Sequence, residues 1–147
     1  MGAARFAWAL SPSLAGASRL GIKALLQQHP LVTLPPGAGT TRLLDDWLLA
    51  QGVTVREHIL CNSLGAVAGM LRAGVGVGFL PSGWVGPLGL RTPGARTPLA
   101  PLQYSFQWRR GDARALIHAM QRLAQAEVDF SVTPALGMSC ITLASRW

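Results

Sequence analysis

The sequence predicts an open α/β sheet, because short apolar strand patterns alternate with amphipathic helix patterns along most of the chain. The clearest unit is residues 61–81, CNSLGAVAGMLRAGVGVGFLP, where a strand end, a helix and a second strand follow one another. Such a succession predicts a parallel crossover. A chain of 147 residues with 50% hydrophobic content is also long enough for one domain with a buried core.

The helix of this unit has a polar start and an apolar face. Asn62 and Ser63 are residue types that accept hydrogen bonds from the free N–H groups of a first helical turn. Apolar residues then recur at spacings of three, four and seven, at Leu64, Val67, Ala68 and Leu71. We predict that Gly74 ends this helix.

A strand is predicted over residues 75–80, with Pro81 at its end. Gly76 and Gly78 interrupt its apolar run, at positions where another backbone is expected to approach closely. A nucleotide-binding glycine loop must follow a strand and open a helix, whereas these glycines follow a helix and enter a strand. The sequence therefore argues against a dinucleotide or phosphate-loop site.

The other elements follow from the same periodicities. Further strands are predicted at residues 4–10, 31–34, 53–61 and 102–109, with a short one at 88–91 inside the Gly- and Pro-rich connection 82–94. Further helices are predicted at residues 21–28, across Leu43, Leu44, Trp47 and Leu48 up to a C-cap at Gly52, and at 113–130. Residues 131–147 show no clear period and form an atypical C-terminal tail.

The charge balance is basic, with 13 Lys plus Arg against 6 Asp plus Glu and a net charge of +7. Such an excess suits a polyanionic partner. Along the sequence, however, Arg109 and Arg110 are the only adjacent basic pair, and Asp112 follows them. The pattern favours scattered solvated charge over a nucleic-acid patch.

The sequence contains no signal for metal binding, export or membrane insertion. Cys61 and Cys140 lie far apart and the three histidines are single, so no metal-ligand spacing exists, and no cofactor is expected. Two cysteines form no disulfide framework, which favours a reducing cytoplasm. The apolar run at residues 6–10 is too short for a secretory signal core, and no apolar run of transmembrane length occurs.

Ligands of open α/β sheets bind beyond the carboxyl ends of the strands. Two predicted loops leave a strand and enter a helix there: residues 35–41, which include Thr40 and Thr41, and the pair Asn62 and Ser63. Free N–H groups and hydroxyls at a helix N-terminus suit a carboxylate or a similar anion. The alternative is that these residues are only helix caps, which would explain the same residue types.

Catalysis is not expected from this chain. Asp45 and Asp46 are adjacent on one helix and point about 100° apart, so they do not easily share a site. No serine lies in a GxSxG motif. The nearest base to Cys61 is His58, which is expected on the other face of the same strand. We therefore predict a binding domain.

Several stretches, in this order, resemble the effector-binding domain of LysR-type transcriptional regulators. They are HPL followed by LPPGAGTTRLLDDWLLAQG, then LCNSLGAVAGMLRAGVGVGFLP, then a late aromatic strand with WRRG and a final helix. The resemblance covers roughly residues 5–130. It implies a periplasmic-binding-protein-like fold with two α/β lobes and a small effector between them.

The resemblance also implies a division of the chain. Residues 1–130 would be a partial effector-binding domain, with 10–103 as the second lobe and 104–130 returning to the first. In the family, polar residues after the strand that ends at Cys61 help to hold the effector, which again selects Asn62 and Ser63. Gly39, Thr40, Thr41 and, at the crossover, Ser11 are further candidates.

The resemblance implies that this chain lacks most of the family's first lobe and its N-terminal winged helix-turn-helix. DNA would be reached only through that missing domain, and a family-like homo-oligomer would use the lobe that is mostly absent. The expected function is sensing of a small anionic metabolite in the cytoplasm, with no membrane partner. The alternatives are a periplasmic-type solute-binding protein and a non-functional regulator fragment.

Overall fold

The computed structural model describes residues 3–17, 21–94, 99–104, 107 and 114–127. Its strands are β1 (Ala3–Ala4), β2 (Phe6–Leu10), β3 (Leu31–Thr33), β4 (His58–Leu60), β5 (Val77–Pro81) and β6 (Leu102–Gln103). Its α-helices are α1 (Ile22–Gln28), α2 (Gly39–Gln51), α3 (Leu64–Arg72), α4 (Ser82–Val85) and α5 (Ala115–Glu127). A 3-10 helix, Pro12–Ala17, follows β2. None of the helices within these ranges is long and apolar enough to span a bilayer.

The main sheet has four strands in the order β2-β5-β3-β4. Strands β4 and β5 both run parallel to β3, which lies between them, and β2 runs antiparallel to β5. The predicted parallel crossover from β4 through α3 to β5 is therefore confirmed. A separate two-stranded ribbon pairs β1 with β6 in antiparallel register.

Alternation along the strands gives the sheet two buried faces. Phe6, Trp8 and Leu10 of β2 pack with α1 and α2 in one cluster, and Trp8 meets Trp47 edge-on with ring centroids 5.1 Å apart. Ala9, on the opposite side of β2, packs in a second cluster with α3. Because successive side chains of a strand point to opposite faces, this period-two pattern produces a three-layer α/β lobe.

Gly76, just before β5, and Gly78, within it, stand where the backbone at the start of β3 and within β3 comes close, as predicted. A Cβ atom on Gly76 would lie 2.3 Å from the carbonyl oxygen of Pro30. One on Gly78 would lie 2.6 Å from the carbonyl oxygen of Val32. Real Cβ atoms do not approach this closely, so glycine allows β5 to occupy the centre of the sheet.

The helix boundaries agree with the predicted capping residues. Gly52 follows α2 in the left-handed conformation at φ 60°, and its N–H donates to the carbonyl oxygens of Leu48 and Leu49. Helix α3 ends at Arg72, two residues before Gly74, which has φ 74°. Glycine adopts this conformation at little cost, so both positions end their helices.

Two predicted strands are much shorter in the structure, and a third lies partly outside the described residues. The strand expected at residues 53–61 forms only over His58–Leu60, because Val53 donates to the carbonyl oxygen of Leu48 and completes the end of α2. The strand expected at 88–91 is a single bridge between Leu10 and Arg91, preceded by α4 and a turn. Of the strand expected at 102–109, Leu102–Gln103 forms, and positions 105, 106 and 108–110 lie outside the described residues.

The predicted terminal helix at residues 113–130 is observed as Ala115–Glu127. The tail at 131–147 lies outside the described residues.

Candidate functional site

The carboxyl ends of β3 and β4 lie side by side and launch the two loops selected from the sequence. Thr33 pairs with Leu60 at the ends of these strands, and the N–H of Cys61 donates to the carbonyl oxygen of Thr33 at 2.8 Å. We call this end of the sheet, where β3, β4 and β5 finish, the carboxyl end, and the opposite end the amino end. The loop into α2 and the loop into α3 therefore start next to each other.

The start of α3 is capped by Ser63. The backbone of Ser63 is extended and its hydroxyl oxygen accepts a hydrogen bond from the N–H of Ala66 at 3.2 Å. Capping thus accounts for Ser63, although its hydroxyl proton remains able to donate. Asn62 is exposed, and its side chain makes no hydrogen bond to a described residue. Capping does not account for Asn62.

The start of α2 has no side-chain cap. Ala38 occupies the N-cap position and its side chain carries no acceptor, so no side-chain hydrogen bond closes the first turn. The hydroxyl of Thr41 is turned back to the loop, where its proton is shared between the carbonyl oxygens of Leu34 at 3.2 Å and Pro35 at 3.1 Å. Thr41 therefore ties the loop to the helix.

Thr40 has no such role. The residue is only 6% exposed, and its Oγ1 atom is buried without a hydrogen-bond partner in the described part of the chain. Buried hydroxyls are almost always paired, because leaving one unpaired costs about 1–3 kcal/mol. The first turn of α2 thus combines an unpaired hydroxyl with an uncapped helix N-terminus. This N-terminus carries the positive end of the helix dipole.

The ribbon of β1 and β6 lies against this first turn. A Cβ atom added to Gly39 would lie 3.6 Å from both Cδ atoms of Leu102, in ordinary van der Waals contact. Leu102 was not singled out from the sequence, because its contact with α2 depends on tertiary folding alone.

Arg5 is a second residue at the carboxyl end that sequence reasoning missed. Its side chain is exposed, and its carbonyl oxygen accepts a hydrogen bond from the N–H of Ser82, just after β5, at 2.8 Å. The antiparallel direction of β2 brings Arg5 to this end. A strand pattern does not reveal that direction, so no sequence signal could have found it.

An open groove of about 630 Å³ runs beside the loop that enters α3. It is mainly apolar, and its lining consists of Ile59, Leu60, Cys61, Asn62, Ala66, Gly69 and Met70. Among the sequence-selected residues, Asn62 alone lines this groove, so it faces both the groove and the carboxyl end.

Ser11 lies away from the other candidates. It follows Leu10, which pairs with Val77 at the beginning of β5, and this places Ser11 at the amino end. Its oxygen accepts hydrogen bonds from the N–H and the hydroxyl of Ser13, and the residue is 5% exposed. The strand β5 separates the two ends by roughly 13 Å, so one small ligand cannot touch both Ser11 and Asn62.

One family accounts for this arrangement. The family model described as the LysR substrate binding domain matches residues 1–129. The chain belongs to this family. The comparison with curated proteins gives no match.

Membership in the LysR substrate-binding domain family confirms the predicted relationship and the periplasmic-binding-protein-like α/β fold. Such a domain senses small molecules for a transcriptional regulator, and its family consists of regulators that are generally not enzymes. In this LysR substrate-binding domain, the first turn of α2 contains Gly39, Thr40 and Thr41, and the loop before α3 contains Asn62 and Ser63. All five residues lie at the carboxyl end of the sheet.

No metal centre accompanies these loops in the described part of the LysR domain. Its residues contain no group of three or more His, Cys, Asp or Glu side chains arranged to hold an ion. Asp45 and Asp46 are exposed in the middle of α2, as the helix pattern predicted, and Cys61 is a free, buried thiol.

Proposed function

We propose that this LysR substrate-binding domain binds a small anionic metabolite at the carboxyl end of its sheet. The observation that carries the proposal is the buried, unpaired hydroxyl of Thr40 at the uncapped N-terminus of α2. A ligand oxygen there would pair with the hydroxyl and with the free N–H groups of Gly39 and Thr40. Asn62 would donate its side-chain amide from the neighbouring loop.

The charge distribution supports an anion over a cation. The three carboxylates within residues 21–94 belong to Asp45 and Asp46 in the middle of α2 and to Glu57, which precedes β4. None of them lies at the carboxyl end. The dipole of α2 and the exposed side chain of Arg42 near its N-terminus both make the potential there more positive.

The regulatory consequence follows from differential affinity. We infer that residues 10–103 form the second lobe and 104–130 return to the first, so that the effector is held between two lobes. A ligand that prefers one lobe arrangement shifts the population toward it, and a winged helix-turn-helix would carry sequence-specific DNA recognition. The proposed role needs neither catalysis nor a cofactor, and belongs to the cytoplasm.

Asn62 provides a direct test, because it is the only asparagine in the chain. Selective ¹⁵N labelling of the asparagine side chain gives one amide pair of NMR signals. We would titrate the protein with aliphatic and aromatic carboxylates, and with the matched neutral carboxamides. A saturable shift of the Asn62 signals with a carboxylate, and none with its carboxamide, is the expected result.

Thermal unfolding supplies the second measurement. A ligand at about 100 times its dissociation constant adds roughly 2.7 kcal/mol to the stability of the domain. Asn62→Ala and Thr40→Val should each reduce this ligand-induced increase, whereas Gln27→Ala, an exposed change on α1, should leave it intact. Equal stabilisation of all three variants, or stabilisation by carboxamides as strong as by carboxylates, would refute the proposed site.

A further inference from the structure

We propose that the amino end of the sheet carries a basic surface, formed by Lys23, Arg56, Arg72 and Arg91, that binds the phosphates of duplex DNA without sequence preference. These residues are spread over about seventy positions of the sequence. The chain order therefore gives no basic run, and the topology alone brings them together.

Two of the arginines reach the amino end through the parallel crossovers. Arg72 is the last residue of α3, which leaves the carboxyl end after β4 and returns to the start of β5. Arg56 stands two residues before His58, the first residue of β4. Because β4 and β5 run in the same direction, their starts lie at one end of the sheet, and so do these two arginines.

The other two cations arrive by different routes. Arg91 forms the bridge with Leu10, whose partner Val77 begins β5. The Nζ atom of Lys23 donates to the carbonyl oxygen of Gln51 at 2.8 Å. Gln51 ends α2, and α2 begins at the carboxyl end and spans roughly 20 Å, so its last turn lies at the amino end.

The surface is strongly unbalanced in charge. All four basic side chains are exposed. Among the described residues, none of the three arginines forms an ion pair or a side-chain hydrogen bond. Within residues 21–94, Glu57 is the only carboxylate near this end, since Asp45 and Asp46 lie in the middle of α2.

Duplex DNA suits this surface better than a single strand. Four strands spaced about 4.8 Å apart make the end of the sheet roughly 14 Å wide, a length over which a duplex presents about eight phosphate charges. Binding of single strands relies on exposed aromatic rings on which bases stack. In the described residues, Tyr104, next to β6, is the one exposed Phe, Tyr or Trp side chain, and the amino end exposes the smaller imidazole ring of His58 at the start of β4.

The basic surface and the proposed effector site lie at opposite ends of the same strands. Contacts to phosphates fix the position of a protein on DNA and carry no sequence information. The surface would therefore add affinity for the duplex while an effector occupies the carboxyl end, and it would not recognise an operator by itself.

The test measures affinity for a random-sequence duplex by fluorescence anisotropy at several salt concentrations. Four phosphate contacts predict a slope of log K against log salt of about −3.6. The triple variant R56Q/R72Q/R91Q should flatten this slope by about three units. The control triple R5Q/R42Q/R122Q removes the same charge from exposed side chains elsewhere and should leave most of the slope.

Three results would overturn the proposal: no duplex binding by the wild-type chain at about 20 mM salt, equal loss of slope in the two triples, or tighter binding of a single strand of the same sequence. Circular dichroism melts would confirm that both triples fold. If R56Q/R72Q/R91Q were unstable, the single variants R56Q and R91Q provide the same test, since each should flatten the slope by about one unit.

Discussion

Replacing Thr40 with valine should make the ligand-free domain more stable, whereas the same replacement at Thr41 should make it less stable. The two residues are neighbours in the first turn of α2, both are 6% exposed, and both changes exchange a hydroxyl for a methyl group of similar size. They differ in hydrogen bonding. The hydroxyl of Thr40 has no partner, and the hydroxyl of Thr41 donates to the loop before the helix.

The magnitudes follow from this difference. Thr40→Val removes a buried, unpaired hydroxyl and should add about 1 kcal/mol to the free energy of unfolding, which is the lower part of the expected penalty. Thr41→Val removes a made hydrogen bond and deprives the carbonyl oxygen of Leu34 of this donor, whereas that of Pro35 keeps the N–H of Ala38, so the change should cost about 1–2 kcal/mol. Valine and threonine have similar helix propensities, which keeps backbone effects small in both variants.

Urea unfolding followed by circular dichroism measures both changes, and thermal melting should shift by roughly 2–4 °C per kcal/mol. The two variants should fall on opposite sides of the wild type and differ by about 2–3 kcal/mol. A Thr40→Val variant no more stable than the wild type would show that the hydroxyl is satisfied in solution. The case for a ligand at this position would then lose its main support.

Three further changes test the fold. Ser63→Ala removes the N-cap of α3 and should cost about 1 kcal/mol in urea unfolding, and an unchanged midpoint would contradict the capping role. Gly78→Ala places a Cβ atom 2.6 Å from a carbonyl oxygen of β3 and should cost more than 2 kcal/mol, while Gly86→Ala meets nothing within 4 Å and should fold normally. Leu71→Ala leaves a cavity at a fully buried site and should lower the free energy of unfolding by about 2–5 kcal/mol. Leu49→Ala, at an 83% exposed position, should cost less than about 0.5 kcal/mol. Equal losses in the two variants would contradict the assigned core.

Elements with a clear period were predictable, and their ends were predictable where a capping residue marked them. Ser63 and Gly52 illustrate this, because each provides a local hydrogen bond or a local backbone conformation that needs no distant partner. The strand predicted at residues 53–61 failed for the opposite reason. Val53 completes the end of α2, and a strand forms only at His58–Leu60, where β3 offers a partner.

The candidate site was predictable only in part. The rule on parallel strands located the loops of Thr40 and Asn62 correctly at one end of the sheet, because those strands were predicted to be parallel. The sequence pattern does not encode that β2 runs antiparallel. It therefore could not show that Ser11 lies at the amino end, away from these loops, or that Arg5 lies at the carboxyl end. The arginines at the amino end could not be recognised as a group for the same reason. They are scattered in the sequence, and their proximity depends on strand order.

Strand order also determines when this lobe becomes able to fold during synthesis. The inner strand β5 is the last of the four to leave the ribosome, and β2, made first, pairs only with β5 in the main sheet. A nascent chain that stops before Val77 therefore leaves Trp8 and its neighbours in β2 without their sheet partner. Pairings between residues so distant in sequence close large loops and form slowly. The lobe should remain dependent on protection from aggregation until Pro81 has emerged.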